Sequence, residues 1–253
     1  IENMIELWYY VKSDFFKLRN SSFFWAHILF PISGVALVLL YAVFAAVSDI
    51  NKIAVFFQIF AIAYPFVISI VCEITAGQEI RAGHCQNILA LRSRAKAILS
   101  KFLLLIVAGL FAILFSMVLF IALLPVTGTK LILPIFSLIL LALILWSSNI
   151  LLYVLYIVLA FRFGRTVCIG MGVVGSLLAA LLQTGLGTGL WFVLPYGFGV
   201  RFTDFALRFA LRVLPVISAD LKLGMGLCAG MTILFIAILF LWFSRYEGKY
   251  TND

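Results

Sequence analysis

The stretch Glu73–Lys101, EITAGQEIRAGHCQNILALRSRAKAILSK, decides how the rest of the chain is arranged. It carries two glutamates and five basic residues between two apolar stretches, each long enough to cross a bilayer. Charged groups at this density do not lie in lipid, so the stretch faces water. Its basic half places it on the cytoplasmic side. We therefore expect two membrane spans to be joined here by a cytoplasmic connection.

Residues 77–91 of this connection predict a short helix whose apolar side is formed by Ile80, His84, Ile88 and Leu91. A short helix between two spans, with its other side chains directed to the cytoplasm, is suited to pass force between a soluble machine and a membrane domain. The simpler alternative is an ordinary positively charged loop that only sets orientation, and composition alone favours that alternative.

The composition of the 253 residues defines the class of protein. Hydrophobic residues make up 65% and charged residues 11% of the chain, and the mean hydropathy is +1.22. The apolar runs are long and unbroken, which predicts helices rather than the short alternating strands of a barrel. We therefore expect an all-α integral membrane protein. The net charge of +8 comes from Lys and Arg at the ends of apolar runs, so it reports topology and gives no reason to expect a nucleic-acid partner.

Six membrane spans are predicted within one domain that covers residues 1–253: 23–47, 53–71, 102–124, 131–161, 167–190 and 227–243. The fourth is longer than the roughly 20 residues that cross a bilayer, so it is expected to tilt or to project from the membrane. With both termini in the cytoplasm, the inner segments hold twelve Lys and Arg residues and the outer segments six. The positive-inside rule therefore favours six spans with cytoplasmic termini, and the inner connection between spans two and three covers residues 75–101.

Two further segments predict helices at the membrane surface. Residues 1–21 mix aromatic with basic residues, as expected of a helix that lies along the inner face of the membrane. Residues 191–223 contain four charged residues whose spacing places them on one narrow helical face: Arg201, Asp204, Arg208 and Arg212. Asp204 and Arg208 have the i, i+4 order of an ion pair. Three arginines in one crossing would be costly, so we expect an amphipathic helix at the outer surface.

Polar residues interrupt the fourth predicted span near its middle: Ser147, Ser148 and Asn149, with Tyr153 one turn later. Polar groups at that depth face either other helices or a wet cavity. Helix packing is the favoured interpretation because Ser and Asn commonly join helices, and a substrate pathway is the alternative.

The sequence contains no motif of a known catalytic or metal site. No G-x-x-x-x-G-K-[ST], H-E-x-x-H or G-x-S-x-G occurs, the two histidines are far apart, and the four cysteines are scattered. No catalytic residue and no metal ligand is therefore predicted, and if ATP drives the protein, another chain binds it. Glu73 is a candidate for a proton relay, although its place at the inner end of a span is more typical of a boundary residue. The scarcity of embedded charge favours an amphipathic cargo.

A resemblance rests on the run Glu79-Ile-Arg-Ala-Gly-His-Cys-Gln-Asn-Ile-Leu89, followed by Ser93-Arg94 and Ser100-Lys101. This run resembles the segment after the second span of type-2 ABC exporter permeases, especially those of the lantibiotic immunity branch. The resemblance implies a cytoplasmic coupling helix that contacts an ATPase and an outer re-entrant helix between spans five and six. It assigns the ATPase contact to six residues: Glu79, Arg81, Gly83, Gln86, Asn87 and Leu89. His84 and Cys85 depart from the usual pattern, in which aliphatic or aromatic residues are more common.

The function that the resemblance implies is that of a permease subunit, which removes a lantibiotic-type antimicrobial peptide from a bacterial cell membrane and confers immunity. Two copies of an ABC ATPase, which bind ATP and Mg, and a second permease, identical or homologous, are the implied partners. This chain itself is expected to hold no cofactor. Two alternatives stay open: an exporter of the same class for another amphipathic drug or a lipid-linked substrate, and a carrier or membrane scaffold that works without an ATPase.

Overall fold

The computed structural model describes residues 2–91, 93–213 and 218–248 of the chain, and within them it is helical without a strand. Arg92 and Lys249, two of the basic residues counted for the inner side, lie outside the described residues. In chain order the helices are α1 (Glu2–Arg19), α2 (Ser22–Phe44), α3 (Asp49–Arg81), α4 (Gln86–Leu89), α5 (Arg94–Leu123), α6 (Ile135–Ser148), α7 (Ile150–Phe163), α8 (Arg165–Gln183), α9 (Pro195–Ala210) and α10 (Ala219–Ser244). Short 3₁₀ turns follow α5 and α8, at Leu124–Thr127 and Gly185–Gly187.

Six helical stretches of the described residues are long and apolar enough to cross a membrane, which confirms an all-α protein with six long apolar helices. They are α2, α3, α5 with its 3₁₀ turn, the α6–α7 pair, α8 and α10. Several differ from the predicted bounds. The helix α3 continues ten residues beyond the predicted end at residue 71, because its last turns are buried against the bundle at Cys72, Ala76 and Glu79. The helix α10 begins at Ala219, eight residues before the predicted start.

The predicted fourth span is two helices, not one. The break is at Asn149, whose side-chain Nδ2 donates to the carbonyl of Leu145 at 2.7 Å while its own backbone leaves the helical region. A side-chain bond to the backbone competes with the regular helical ladder. The Asn149 amide also lies against Gly199 of α9, where any β-carbon would collide with it. Contact with another helix, which the local pattern does not reveal, therefore accompanies the break.

The central helix of the bundle is α3, which packs against α2, α7, α8 and α9. Its contact with α8 is close because Gly172 lies over Ser69, and a β-carbon on Gly172 would meet the Ser69 side chain. On the α5 side, the rings of Phe56 and Phe120 stack with their centroids 4.2 Å apart. Small residues and aromatic rings thus set the spacing of the helices, as is usual where lipid supplies no hydrophobic drive between them.

The chain folds back into the bundle between α8 and α9. The ring of Tyr196, at the start of α9, lies where a β-carbon on Gly175 in the middle of α8 would be. Five residues further along the chain, Arg201 has reached the end of α8, where it donates to the carbonyls of Leu182 and Thr184 at 2.7 and 2.6 Å. The helix α9 therefore starts within the bundle and runs outward past the end of α8.

The helix α9 ends at Ala210, so Arg212 does not share its face with Arg201, Asp204 and Arg208, contrary to the sequence prediction. Arg212 follows the last turn with a φ of 58°, a left-handed conformation that ends helices. The predicted ion pair of Asp204 and Arg208 is confirmed, with Arg208 Nε 2.8 Å from Asp204 Oδ2.

The two ends of the bundle can be defined by their contents. One end, here the α1 end, holds α1, α4, the start of α5 and the chain after α10, where Arg94 donates to the carbonyl of Tyr246 at 2.8 Å. The other, here the α9 end, holds the α2–α3 and α5–α6 connections, which meet where the Lys130 N–H donates to Asp49 at 3.2 Å. The outer part of α9 lies at this second end.

Candidate functional site

A cluster of buried charges joins three helices at the α1 end. The ammonium of Lys101 lies 2.8 Å from Asp14 Oδ1 and 2.7 Å from Glu79 Oε1. Lys17 lies 3.0 Å from the same Glu79 oxygen, and the Ser100 hydroxyl donates to Asp14 at 2.5 Å. These five residues are called the ion cluster below. Two carboxylates and two ammonium groups balance each other in charge, so no net charge is buried.

The ion cluster is withdrawn from solvent. The side chains of Lys101, Asp14 and Glu79 are 4%, 9% and 2% exposed, while Lys17 is 39% exposed and closes the cluster on the solvent side. Charges at such positions are retained only with close partners, because breaking a buried pair leaves an uncompensated charge. Within the described part of the chain, Glu79 Oε2 has no hydrogen-bond partner, and the described bonds of the carboxylate go to its other oxygen.

Each helix supplies the ion cluster from its buried face. On α1, Asp14 and Leu18 are one turn apart and both are buried, whereas the opposite face exposes the rings of Trp8, Tyr9 and Phe16. The backbone carbonyl of Lys17 also accepts a bond of 2.7 Å from Gln78 of α3. The helix α1 is therefore fixed along the ends of α3 and α5 on one side and presents an aromatic surface on the other.

Next to the ion cluster, the chain makes a turn between α3 and α4 instead of the single helix predicted for residues 77–91. Gly83, His84 and Cys85 have φ values of 125°, 51° and 68° in succession. The N–H groups of His84 and Cys85 bond back to the carbonyls of Ile80 and Glu79 at 2.8 and 3.1 Å, which closes the last turn of α3. A glycine at the first of these positions accommodates a conformation that side chains rarely adopt.

The turn is anchored beneath by buried side chains. Cys85 and Ile88 are buried, and the Cys85 thiol lies 4.0 Å from the hydroxyl of Tyr246, which donates to the carbonyl of Phe161 at 3.3 Å. Burial raises the pKa of the Cys85 thiol, and burial likewise raises the pKa of Tyr246, so both groups are neutral. The turn is thus connected to α7 and to the residues after α10.

The structure separates the six residues that the resemblance assigned to an ATPase contact. Arg81 at the end of α3 and Gln86 and Asn87 of α4 are exposed, and Gly83 and Leu89 are partly buried beside them. Glu79 is not on this surface, because it is buried in the ion cluster. Arg81 Nη1 also lies 3.4 Å from Oε1 of Glu73, the candidate proton-relay residue. The side chain of Glu73 is 8% exposed, and its carboxylate forms an ion pair with Arg81.

The four polar residues of the interrupted fourth span do not form a common surface. Ser148, Asn149 and Tyr153 are buried, and Ser147 is exposed. The hydroxyls of Ser147 and Ser148 each bond to a carbonyl of α6, and the Tyr153 hydroxyl lies 3.4 Å from that of Tyr64. The two serine bonds lie within α6, whereas the contact of Tyr64 with Tyr153 joins α3 to α7.

Sequence reasoning missed Asp14, Ser100 and Tyr246 as parts of this site and treated Lys101 only as a basic residue of the resemblance. One signal was present: Asp14 lies at helical spacing from Tyr10, Val11 and Leu18 on the apolar side of α1. An acidic residue on an apolar face predicts a buried basic partner. No local pattern indicates which residue that partner is.

Among the described residues, no group of three or more His, Cys, Asp and Glu side chains is placed to hold a metal ion. Comparison with protein-family models, with curated proteins and with solved structures finds no match for this chain. The fold itself defines an all-α, multi-pass membrane protein.

Proposed function

We propose that the chain is the membrane subunit of a type-2 ABC exporter, and that the exposed surface of Arg81, Gln86 and Asn87 contacts a separate ATPase. The observation that carries the proposal is the contrast within residues 81–88: these polar side chains are exposed, whereas the neighbouring Cys85 and Ile88 are buried. A segment that presents polar groups outward while its underside is fixed to several helices is suited to transmit a push or pull.

The rigid connections of the turn supply the route for that force. On one side, Glu79 and Lys101 tie the end of α3 to the start of α5 at 2.7 Å. On the other side, Tyr246 connects the turn with α7 through the carbonyl of Phe161. Movement of the turn therefore displaces at least three long helices together, and packed helices respond to such displacement by changing between discrete arrangements.

In this proposal the turn faces the cytoplasm and both termini lie on the same side. The exposed aromatic face of α1, with Trp8 at 64% and Tyr9 at 65% exposure, then lies at the headgroup level of the inner leaflet, where such rings are enriched. The helix α9 is correspondingly the outer re-entrant element. Six spans form half of a transport pathway, so a second permease, identical or homologous, and two ATPase copies that bind ATP and Mg complete the assembly.

The cargo in this proposal is an amphipathic, lantibiotic-type peptide that is removed from the membrane of a bacterium, which gives the cell immunity. The support is the resemblance of residues 79–101 together with the apolar character of the exposed helix faces. A drug or a lipid-linked substrate in the same class of exporter is the closest alternative. A carrier or scaffold that needs no ATPase is the alternative from another class.

The test uses Asn87→Arg, which changes the exposed turn and leaves the ion cluster intact. Asn51→Arg is the matched control, because Asn51 is an exposed asparagine at the α9 end. The tagged chain is purified gently from its native membrane, and its partners are identified by mass spectrometry. We expect a Walker-motif ATPase with the wild type and the control and its loss with Asn87→Arg, together with loss of peptide tolerance in cells.

Recovery of the chain without an ATPase, with transport in vesicles that lack ATP, would exclude the exporter proposal and favour a carrier. Equal recovery of the ATPase with all three proteins would exclude the turn as its contact. Glu79→Arg is less informative, since it breaks the ion cluster and removes the partner of Lys101.

A further inference from the structure

A deep groove opens between α6, α9 and α10 toward the α9 end. Its volume is about 810 Å³, and its walls are mainly apolar, with Phe136 and Leu140 from α6, Phe205 and Phe209 from α9, and Met225 from α10. The aromatic face of α9 is turned into the groove, whereas Asp204 and Thr203 face α3 on the other side of the helix. An apolar groove of this size in a membrane protein is filled by an apolar molecule, because water gains no hydrogen bonds there.

The groove is extended along α10. A second space of about 330 Å³ shares Phe202 and Met225 with the first and continues past Cys228 and Thr232 to Ile233. From Ser218 to Ile233 the helix rises about 22 Å, at about 1.5 Å per residue. One leaflet of the hydrocarbon core is roughly 15 Å thick. With its headgroup region included, one leaflet is roughly 20–22 Å thick, so the two spaces together match the length of one acyl chain with its head group.

The charged side chain of the groove lies at its outer end, whereas the deeper polar lining consists of neutral groups, at Ser147, Thr232 and Cys228. Arg212 and Ser218 line this end, and Ser218 is also the N-cap of α10. A guanidinium group and the positive end of a helix dipole both favour an anion. Asp220, in the first turn of α10, is exposed and does not line the groove. The apolar length and the cationic end are complementary to a molecule with one acidic head and a long hydrocarbon tail.

We propose that this groove binds an anionic phospholipid, with its phosphate at Arg212 and one acyl chain along α6 and α10. The inference does not depend on the exporter proposal, because it concerns a different end of the bundle and requires no ATPase. Bound lipid would fill the space between α9 and α10 and so fix the position of α9.

The first experiment compares lipids on the purified chain by native mass spectrometry, with phosphatidylglycerol and phosphatidylcholine of the same acyl chains added at equal concentration. A basic residue near the surface contributes ~1 kcal/mol toward an anionic lipid, which is about a fivefold preference. We expect the wild type to bind phosphatidylglycerol about fivefold more than phosphatidylcholine and Arg212→Gln to bind both equally. Lys130→Gln, an exposed basic residue at the same end but outside the groove, should keep the preference.

The second experiment locates the lipid with a phosphatidylglycerol that carries a photoreactive group near the end of its acyl chain. Crosslinks are expected on the peptides of α6 and α10. Ala206→Trp fills the groove from α9 and should abolish them, as should Met225→Trp from the opposite wall, which covers the case in which one variant fails to fold. Val126→Trp, at a side chain 83% exposed outside the groove, is the control that should retain them.

Three results would overturn the proposal: equal binding of the two lipids by the wild type, a preference that persists in Arg212→Gln, or crosslinks on helices other than α6, α9 and α10. Displacement of the lipid by an excess of inorganic phosphate alone would show that the site binds a free anion instead of a lipid. Because none of these measurements involves an ATPase or a peptide, failure here leaves the exporter proposal standing, and failure of that proposal leaves this one.

Discussion

The buried ammonium of Lys101 lies 2.8 Å from Oδ1 of Asp14, a residue 87 positions earlier in the chain. This pair joins α5 to α1, and the same ammonium reaches Glu79 of α3. One lysine therefore bonds to two buried carboxylates, and Lys17 supplies the second positive charge through Glu79. Lys101 therefore contributes to the attachment of the amphipathic helix α1 to the bundle, together with the pairs Lys17–Glu79 and Lys96–Glu6.

Lys101→Met is expected to destabilise the protein strongly, because it leaves Asp14 and Glu79 buried without their common partner. Breaking a buried pair in this way costs about 3–5 kcal/mol. Thermal unfolding in detergent should show a large fall in Tm. Lys130→Met, at an exposed lysine of the α9 end, is the matched control and should change little.

A combined variant separates charge from packing at the same site. Adding Asp14→Asn and Glu79→Gln to Lys101→Met removes both carboxylates that have lost Lys101, and Lys17, the other partner of Glu79, is 39% exposed. Buried ion pairs replaced by neutral groups are often no less stable. The combined variant should therefore unfold at a higher temperature than Lys101→Met alone. If it unfolds at the same temperature, the loss comes from the missing lysine side chain and not from uncompensated charge.

The turn beneath Arg81 should become less stable in alkali because of Cys85. Burial raises the pKa of its thiol above the ordinary value of 9.0, so the folded protein binds that proton more tightly than the unfolded chain. The stabilisation is fully present below pH 9.0 and is lost as the pH rises toward the folded pKa. The measurement is the unfolding temperature between neutral and alkaline pH.

Cys85→Ala isolates this effect, since other groups also titrate in alkali. The difference in Tm between wild type and Cys85→Ala should be constant below pH 9.0 and should change in favour of the variant above it. A difference that stays constant over the whole range would mean that the thiol is not held protonated by the fold.

Apolar periodicity and length were enough to predict the six long helices, because membrane spans are fixed by composition over about 20 residues. The ion pair of Asp204 and Arg208 was predictable for a similar reason: its partners are one helical turn apart. These features depend on neighbours in the sequence, which a single chain displays directly.

The helix break at Asn149 could not be predicted from the sequence of its own segment. The run 135–163 is apolar and contains neither glycine nor proline, so its pattern predicts one helix. The structure divides it beside Gly199, a residue fifty positions later. The turn at Gly83–Cys85 is similar, because Cys85 is held under the turn by Tyr246, 161 positions away. Contacts at such separations have no signature within either segment.

Two glycines of α8 test whether helix spacing depends on particular positions. A β-carbon at Gly172 would meet the Ser69 side chain of α3, so Gly172→Ala should push α3 and α8 apart at a cost of about 1–3 kcal/mol. Gly170 faces open space, and Gly170→Ala should be neutral or stabilising by roughly 0.5–1 kcal/mol. Thermal unfolding of both variants checks the difference, and equal effects would mean that the α3–α8 contact adapts freely.

The two arginines of α9 should differ in importance although they are two turns apart on one helix. Arg201 donates to the carbonyls of Leu182 and Thr184, which end α8, so Arg201→Met leaves these acceptors without their partner at a cost of about 1–3 kcal/mol. Arg208 is 55% exposed and pairs only with Asp204 in the described contacts, so Arg208→Met should cost about 0–1 kcal/mol. Limited proteolysis of residues 184–194, compared between the variants, is the measurement. Faster cleavage in Arg201→Met alone is expected because this arginine holds α9 against the end of α8, whereas equal cleavage would assign that role to the aromatic contacts of Trp191 with Phe202 and Phe205.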